Sequence, residues 1–288
     1  MALFDSVRSL FSGSRVNVSK RFALLREAIQ GTMSKFYMAR DMQTNKVVGL
    51  KILNKEKTAA FESRFKELGK PSEGEIAMML SNARIVKTFE HGLTTDGSAY
   101  LVMEYLQGPD MNSMLIGRSE HLDGRRVQFI RQMAEALAAV HAAGFVHRDI
   151  CPRNLLLADR ENLKLIDFGL TLPATRSFMQ PGNRTGTPNY MAPELVRRRA
   201  TDERVDMFAF GVTSYEICTF ELPWVRGTTG MAAMTHDQPP TDIRKYRPDI
   251  DPTLAAAIHS CIQSDPNKRC PSAEKFLLRI RDLKDAAL

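Results

Sequence analysis

A two-lobed α+β fold is predicted, with a small antiparallel sheet in the first third of the chain and helices through the rest. Three observations carry it. Residues 22–53 alternate apolar and polar side chains and are rich in β-branched and aromatic residues, the period of a sheet with one face buried. From about residue 105 the rhythm becomes helical, with residues 127–143 rich in Ala, Leu and Met and Arg204–Thr219 apolar all round. The 288 residues exceed one small domain and suit two lobes around a shared cleft.

Taken in order, residues 22–25, 36–39 and 47–53 read as strands, the last two joined through a turn at Thr44, Asn45 and Lys46. Residues 56–68 switch to a helical period, and 72–81 resume it after Pro71. Residues 85–90 and 100–104 are two further strands, with Gly92 and the Asp96–Gly97 turn between them. Residues 127–143, Arg204–Thr219, 254–262 and 273–283 are the helices of the second lobe. The expected division is an N-terminal extension over 1–21, an N-lobe over 22–104, a connection over 105–110 and a C-lobe over 111–288.

A hydrophobic content of 43% supports a real core, and a formal charge of +7 is moderate for this length. Such a surface steers anions, nucleotides among them. No zinc-finger spacing or basic heptad arm points to nucleic acid. Cys151, Cys218, Cys261 and Cys270 form no CxxC pair, which argues against a zinc knuckle or a disulfide framework and for a reducing, cytoplasmic compartment. The opening MALFDSVRSLFSGSR is a poor signal peptide and reads as a short amphipathic helix. No apolar run is long enough to cross a bilayer.

The chemistry concentrates in HRDICPRN, residues 147–154, and DFG, residues 167–169. Two aspartates and an asparagine on short turns after an apolar helix suit a catalytic base and a magnesium cage for moving a phosphoryl group from ATP. Together with Lys51 on its VVGLK strand and GTPNYMAPE over 186–194, these motifs stand in the order found in one family. From about Phe22 to Leu283 the chain resembles the catalytic domain of the eukaryotic-type, or Hanks-type, serine/threonine protein kinases of bacteria and nucleated cells. The resemblance implies a small lobe of five strands and one helix, a larger helical lobe, and use of ATP with Mg2+, Mn2+ being the substitute metal.

It also assigns roles. Lys51 would neutralise the α- and β-phosphates, paired with Glu73, with Glu75 as the near alternative. Asp149 would accept the hydroxyl proton, and Asn154 and Asp167 would hold metal. His147, Phe168 and Gly169 would be structural. Met103, Glu104, Leu106 and Leu156 would border the adenine base. Thr187 would contact the catalytic aspartate, favouring serine or threonine acceptors. Arg148 would respond to phosphorylation of the 167–194 segment, where Thr175, Ser177 and Thr185 are the candidate acceptors and Thr185 is preferred. Glu194 would pair with Arg269, Asp206 would accept backbone hydrogen bonds from the catalytic loop, and Gly211 would permit close helix contact. Trp224 reads as a packing anchor. The partners implied are a protein substrate and a regulatory partner or upstream kinase.

Two departures stand out. In IQGTMSKF, residues 29–36, only Gly31 survives of the family's three glycines; Ile29 and Ser34 replace the outer two, and Phe36 stands at the valine position. Cys151 stands where most relatives carry a lysine that contacts the transferred phosphate, leaving Arg153 as the nearby cation. Gly49, in place of alanine before Lys51, keeps a small residue against adenine. The departures motivate an alternative reading, a pseudokinase acting as a nucleotide-binding or scaffold module. A small-molecule kinase is a third, against which GTPNYMAPE argues because it suits a peptide substrate.

Overall fold

The computed structural model describes residues 15–26, 29–31, 33–225 and 232–284. The amphipathic helix expected at the N-terminus falls almost wholly outside them. The two-lobed α+β expectation is the observed division. One compact unit comprises Met1–Ser81 and Val86–Leu106, the other Asn82–Ile85 and Gln107–Leu288.

The first unit runs α1 (Val18–Arg21), β1 (Phe22–Leu24), β2 (Ile29–Gln30), β3 (Ser34–Asp41), β4 (Lys46–Leu53), α2 (Lys55–Glu62), α3 (Glu73–Met79), β5 (Thr88–Leu93) and β6 (Ala99–Met103). The sheet is antiparallel in the order β1-β3-β4-β6-β5, with β2 paired to β3. Val48 and Leu50 of β4 face a core shared with Phe22, Ala39, Tyr100 and Val102. Side chains alternate along a strand, so Gly49 and Lys51 belong to the opposite face. Asn45, at a φ of 56°, makes the turn between β3 and β4, a conformation asparagine tolerates better than most residues.

The helical period over 56–68 and 72–81 is realised as α2 with its continuation and α3, one helix more than the family resemblance implied. Asn54 caps α2 by accepting from the Lys57 N–H, and a 3-10 turn over Ser63–Leu68 continues it to Gly69. The strand expected over 85–90 begins only at Thr88. Residues 82–85 instead belong to the second unit. Arg84 donates from Nε to Glu135 at 2.9 Å and from Nη1 to Asn162 at 2.9 Å, and Ile85 bridges to Leu165.

The second unit contains α4 (Met111–Ile116), α5 (Arg126–Ala142), β7 (Phe145–Val146), β8 (Leu155–Leu157), β9 (Leu163–Leu165), β10 (Leu172–Pro173), α6 (Pro193–Val196), α7 (Arg204–Thr219), α8 (Pro252–Cys261) and α9 (Ala273–Arg279). Every residue from Val205 to Thr219 is buried, which explains why α7 has no polar face. Gly211 permits α8 its close approach, since a Cβ there would lie 2.6 Å from Cys261 Cβ. Two short antiparallel pairs, β7 with β10 and β8 with β9, frame the turns that carry the polar residues.

Candidate active site

In the first unit, β4 presents Lys51, and its Nζ donates to Glu73 Oε1 at 2.5 Å. Both side chains are only 8% exposed, so the ammonium and carboxylate depend on each other for charge compensation. Glu75 is engaged elsewhere. Ser72 Oγ accepts from the Glu75 N–H, and Glu75 Oε2 accepts from the Ser72 N–H at 2.7 Å, closing a capping box on α3. The Ser-x-x-Glu spacing was the sequence signal that separates the two glutamates.

Gly49 is small for a reason that involves Phe36. A Cβ at Gly49 would lie 2.7 Å from Phe36 Cζ and 3.1 Å from Met103 Cγ. The Phe36 ring also stacks on Tyr105, with centroids 6.5 Å apart. The bulky residue at position 36 and the missing methyl at position 49 are therefore two halves of one exchange. β2 and β3 pair antiparallel, Ile29 with Phe36 and Gln30 with Lys35, and the Gly31 N–H donates to Ser34 O at 2.9 Å. Gly31 has no positive φ, so its turn does not require glycine on conformational grounds. Glu104 ends the unit's last strand pair, accepting from the Lys87 N–H at 2.7 Å and donating from its own N–H to Lys87 O. Leu106 is the unit's final residue.

In the second unit the Asp149 carboxylate is held by three donors. Thr187 N–H and Thr187 Oγ1 both donate to Oδ1, at 2.8 and 2.7 Å, and Asn154 Nδ2 donates to Oδ2 at 3.0 Å. Asn154 Nδ2 also reaches Asp149 O at 2.8 Å. Its amide nitrogen is thus spent on Asp149. The Ile166 N–H donates to Asn154 O, bringing the chain to Asp167, which is exposed, has a φ of 66° and accepts from the Gly169 N–H at 3.0 Å. Phe168 is buried edge-on to His147, with centroids 5.4 Å apart. Leu156, half-buried on β8, pairs with Lys164.

Asp206 at the start of α7 organises the loop from below. Its carboxylate accepts from the His147 and Arg148 N–H groups, each at 2.7 Å, and lies 2.9 Å from His141 Nε2. Burial by itself would raise this carboxyl's pKa; the hydrogen bond and charge of His141, with smaller contributions from His147 and the Arg148 N–H, hold it below the usual carboxylate range. Burial pulls His147 down, favouring the neutral ring, and Nδ1 of that ring accepts from the Asp149 N–H at 3.3 Å. His141 carried no motif and was not anticipated.

Arg148, at a φ of 71°, is buried and donates from Nη2 to Asn183 O at 2.8 Å and to Thr185 Oγ1 at 3.4 Å. Burial lowers its pKa to about 10. Thr175 and Ser177 are exposed and hydrogen-bonded to each other at 2.9 Å. Gly186 passes so close to Arg148 O that a Cβ would lie 2.8 Å from it, and its φ of 132° needs glycine in any case. Cys151 is buried beneath Thr187, whose Oγ1 is 3.7 Å from Sγ, and burial with the nearby Asp149 charge pushes the thiol up to about 12. Arg153 is exposed.

Arg269 forks onto Glu194, from Nη1 to Oε1 at 2.7 Å and from Nη2 to Oε2 at 3.0 Å. It also donates to the Arg204 and Gln263 carbonyls and lies over the Phe208 ring. Trp224 stacks on the other partner of that cluster, Phe208, at 5.7 Å and donates from Nε1 to Gln238 O.

An antiparallel sheet carrying a buried lysine–glutamate pair and a helical unit carrying a braced aspartate–asparagine turn define a bilobal, kinase-like protein. Residues 24–278 match the family model described as protein kinase domain. The serine/threonine-protein kinase pkn3 of Myxococcus xanthus is 32% identical over 86% of this chain and 47% of its own length. The serine/threonine-protein kinase PknB of Mycolicibacterium smegmatis is 28% identical over 88% of this chain and 41% of its own. A hormonally up-regulated neu tumor-associated kinase homolog of Xenopus tropicalis is 30% identical over 86% and 35%. The chain belongs to the Hanks-type protein kinase domain family, and it spans less than half the length of these relatives. No helix among the described residues is long and apolar enough to cross a membrane.

Proposed function

We propose that this domain transfers the γ-phosphate of ATP to serine or threonine hydroxyls of proteins, its own chain among the acceptors. The observation that carries this reading is the braced Asp149 carboxylate, with Oδ1 on Thr187 and Oδ2 on Asn154. An aspartate fixed in that way orients an acceptor hydroxyl and takes its proton, and phosphoryl transfer asks chiefly for such positioning. Thr187 beside it suits a small aliphatic hydroxyl as the acceptor. In the first unit, the Lys51–Glu73 pair is the phosphate holder, and Gly49, Met103, Glu104 and Leu106 are the base-bordering residues.

Among the described residues no three His, Cys, Asp or Glu side chains cluster as a metal cage. Mg2+ does not need one, since it is usually held by one or two carboxylates together with substrate phosphates and water. The donor chemistry fits: Asp167 supplies an exposed carboxylate and Asn154 a hard amide oxygen whose nitrogen is already committed. When bound, the metal would neutralise charge on the phosphates. Arg148 with Thr185 is the best-supported regulatory contact on the 167–194 segment. Four free thiols, all buried, suit a reducing, cytoplasmic setting.

A second reading, nucleotide binding without turnover, is favoured by Cys151, a buried neutral thiol where a cation would assist transfer. Arg153, exposed two residues on, is the nearby cation. Intact-mass measurement after incubation with Mg-ATP separates the readings. Phosphate gain in the wild type and none in Lys51→Met or Asp167→Asn is the kinase result. ATP binding with no phosphate on the chain or on any protein acceptor is the other.

A further inference from the structure

The start of α3 contains a glycine, Gly74, between the two glutamates of its first turn. Glycine is among the poorest helix formers, so its place inside a seven-residue helix calls for a packing reason. The reason is His91 on β5. A Cβ at Gly74 would lie 2.5 Å from both His91 Cβ and His91 Cγ and 2.7 Å from His91 Nδ1. The ring could rotate aside, but Cβ is fixed by the backbone of β5. No other residue type lets α3 lie on the strand at this distance.

The row of the sheet beneath Gly74 is also the row that carries Lys51. His91 pairs directly with Leu101 on β6, and Leu101 pairs directly with Lys51 on β4. Helix height over this row and the reach from Glu73 to Lys51 are therefore one measurement. Glu73 precedes Gly74 in the same turn, and the Ser72–Glu75 capping box makes that turn move as a unit. Lifting the helix to admit a methyl group carries Glu73 away from an ammonium it now meets at 2.5 Å.

We infer that Gly74 and His91 are positioning residues that set the height of α3 and so hold Glu73 against Lys51. This rests on the reading of that pair as the phosphate holder. Gly74→Ala should then lower kcat/KM for ATP by up to about a hundredfold, the scale of a misplacement near an ångström, and leave KM for a protein acceptor unchanged. It should also speed amide exchange across residues 73–79. The compensating double variant Gly74→Ala/His91→Gly should recover the activity and exchange of His91→Gly alone. A merely destabilising glycine substitution would lower Tm in both variants and would not be rescued.

Unchanged exchange and unchanged ATP kinetics in Gly74→Ala overturn the inference, as does a loss that the double variant fails to recover. If the wild type transfers no phosphate at all, the kinase reading falls separately. The inference is then decided by exchange over 73–79 and by affinity for a fluorescent ATP analogue, where rescue by His91→Gly supports it and its absence rejects it.

Discussion

The two units position their polar residues by different means. In the second, Asp149 is held by hydrogen bonds from Thr187 and Asn154, while Asp206 accepts from the peptide N–H groups on either side of the His147 Cα. In the first, one ion pair is held by shape. Gly49 leaves room for Phe36, and Gly74 leaves room for His91. A bonded network carries its information in polar residues at short spacings, whereas a shaped site carries it in absent atoms opposite distant side chains. The second should therefore fail chiefly on loss of a polar atom, and the first should fail on an added methyl group as well as on loss of either partner of its ion pair.

The largest stability effect should come from Arg269→Leu, which strands the Glu194 carboxylate. The pair is almost wholly buried, so the loss should be about 3–5 kcal/mol, read as a lower denaturant midpoint at unchanged slope. Asp206 should govern the acid limb. Its folded carboxyl sits below the ordinary 3.8, so its contribution is complete above that value and is lost as pH falls through the folded one. Asp206→Asn should flatten stability against pH in this range; an unaltered limb would remove Asp206 from the account.

In the first unit, Gly49→Ala should cost about 1–3 kcal/mol through overpacking, with a weaker grip on nucleotide. Phe36→Val should relieve it, so that the double variant is closer to wild type than Gly49→Ala alone. Strict additivity of the two changes would break the claim that they are one exchange. The smallest effect is expected of Ser72→Ala, which removes the cap on α3 and should cost about 1 kcal/mol in thermal unfolding.

The same contrast explains what could be read beforehand. Arg204–Thr219 was legible to the residue because an element buried on every side carries apolar residues on every face, with few polar interruptions. The residues of HRDICPRN lie within bonding range because they are close in sequence, so the Asp149–Asn154 contact follows from local turns. Residues 85–90 misled because Ile85 and Val86 are buried like strand residues, while Arg84 ties the preceding segment to the other unit. Gly74 with His91, and Gly49 with Phe36, had no local signature. The β3–β4 register brings Phe36 to Gly49, and the packing of α3 on β5 brings His91 to Gly74.

Transfer of labelled phosphate from γ-labelled ATP to protein, by wild type and by Asp149→Asn, tests the central claim most directly. Replacing the carboxylate with an amide removes the proton acceptor and keeps the shape. Label incorporated by the wild type and reduced by about a hundredfold or more in the variant is the expected result. Equal incorporation by the two proteins would contradict it.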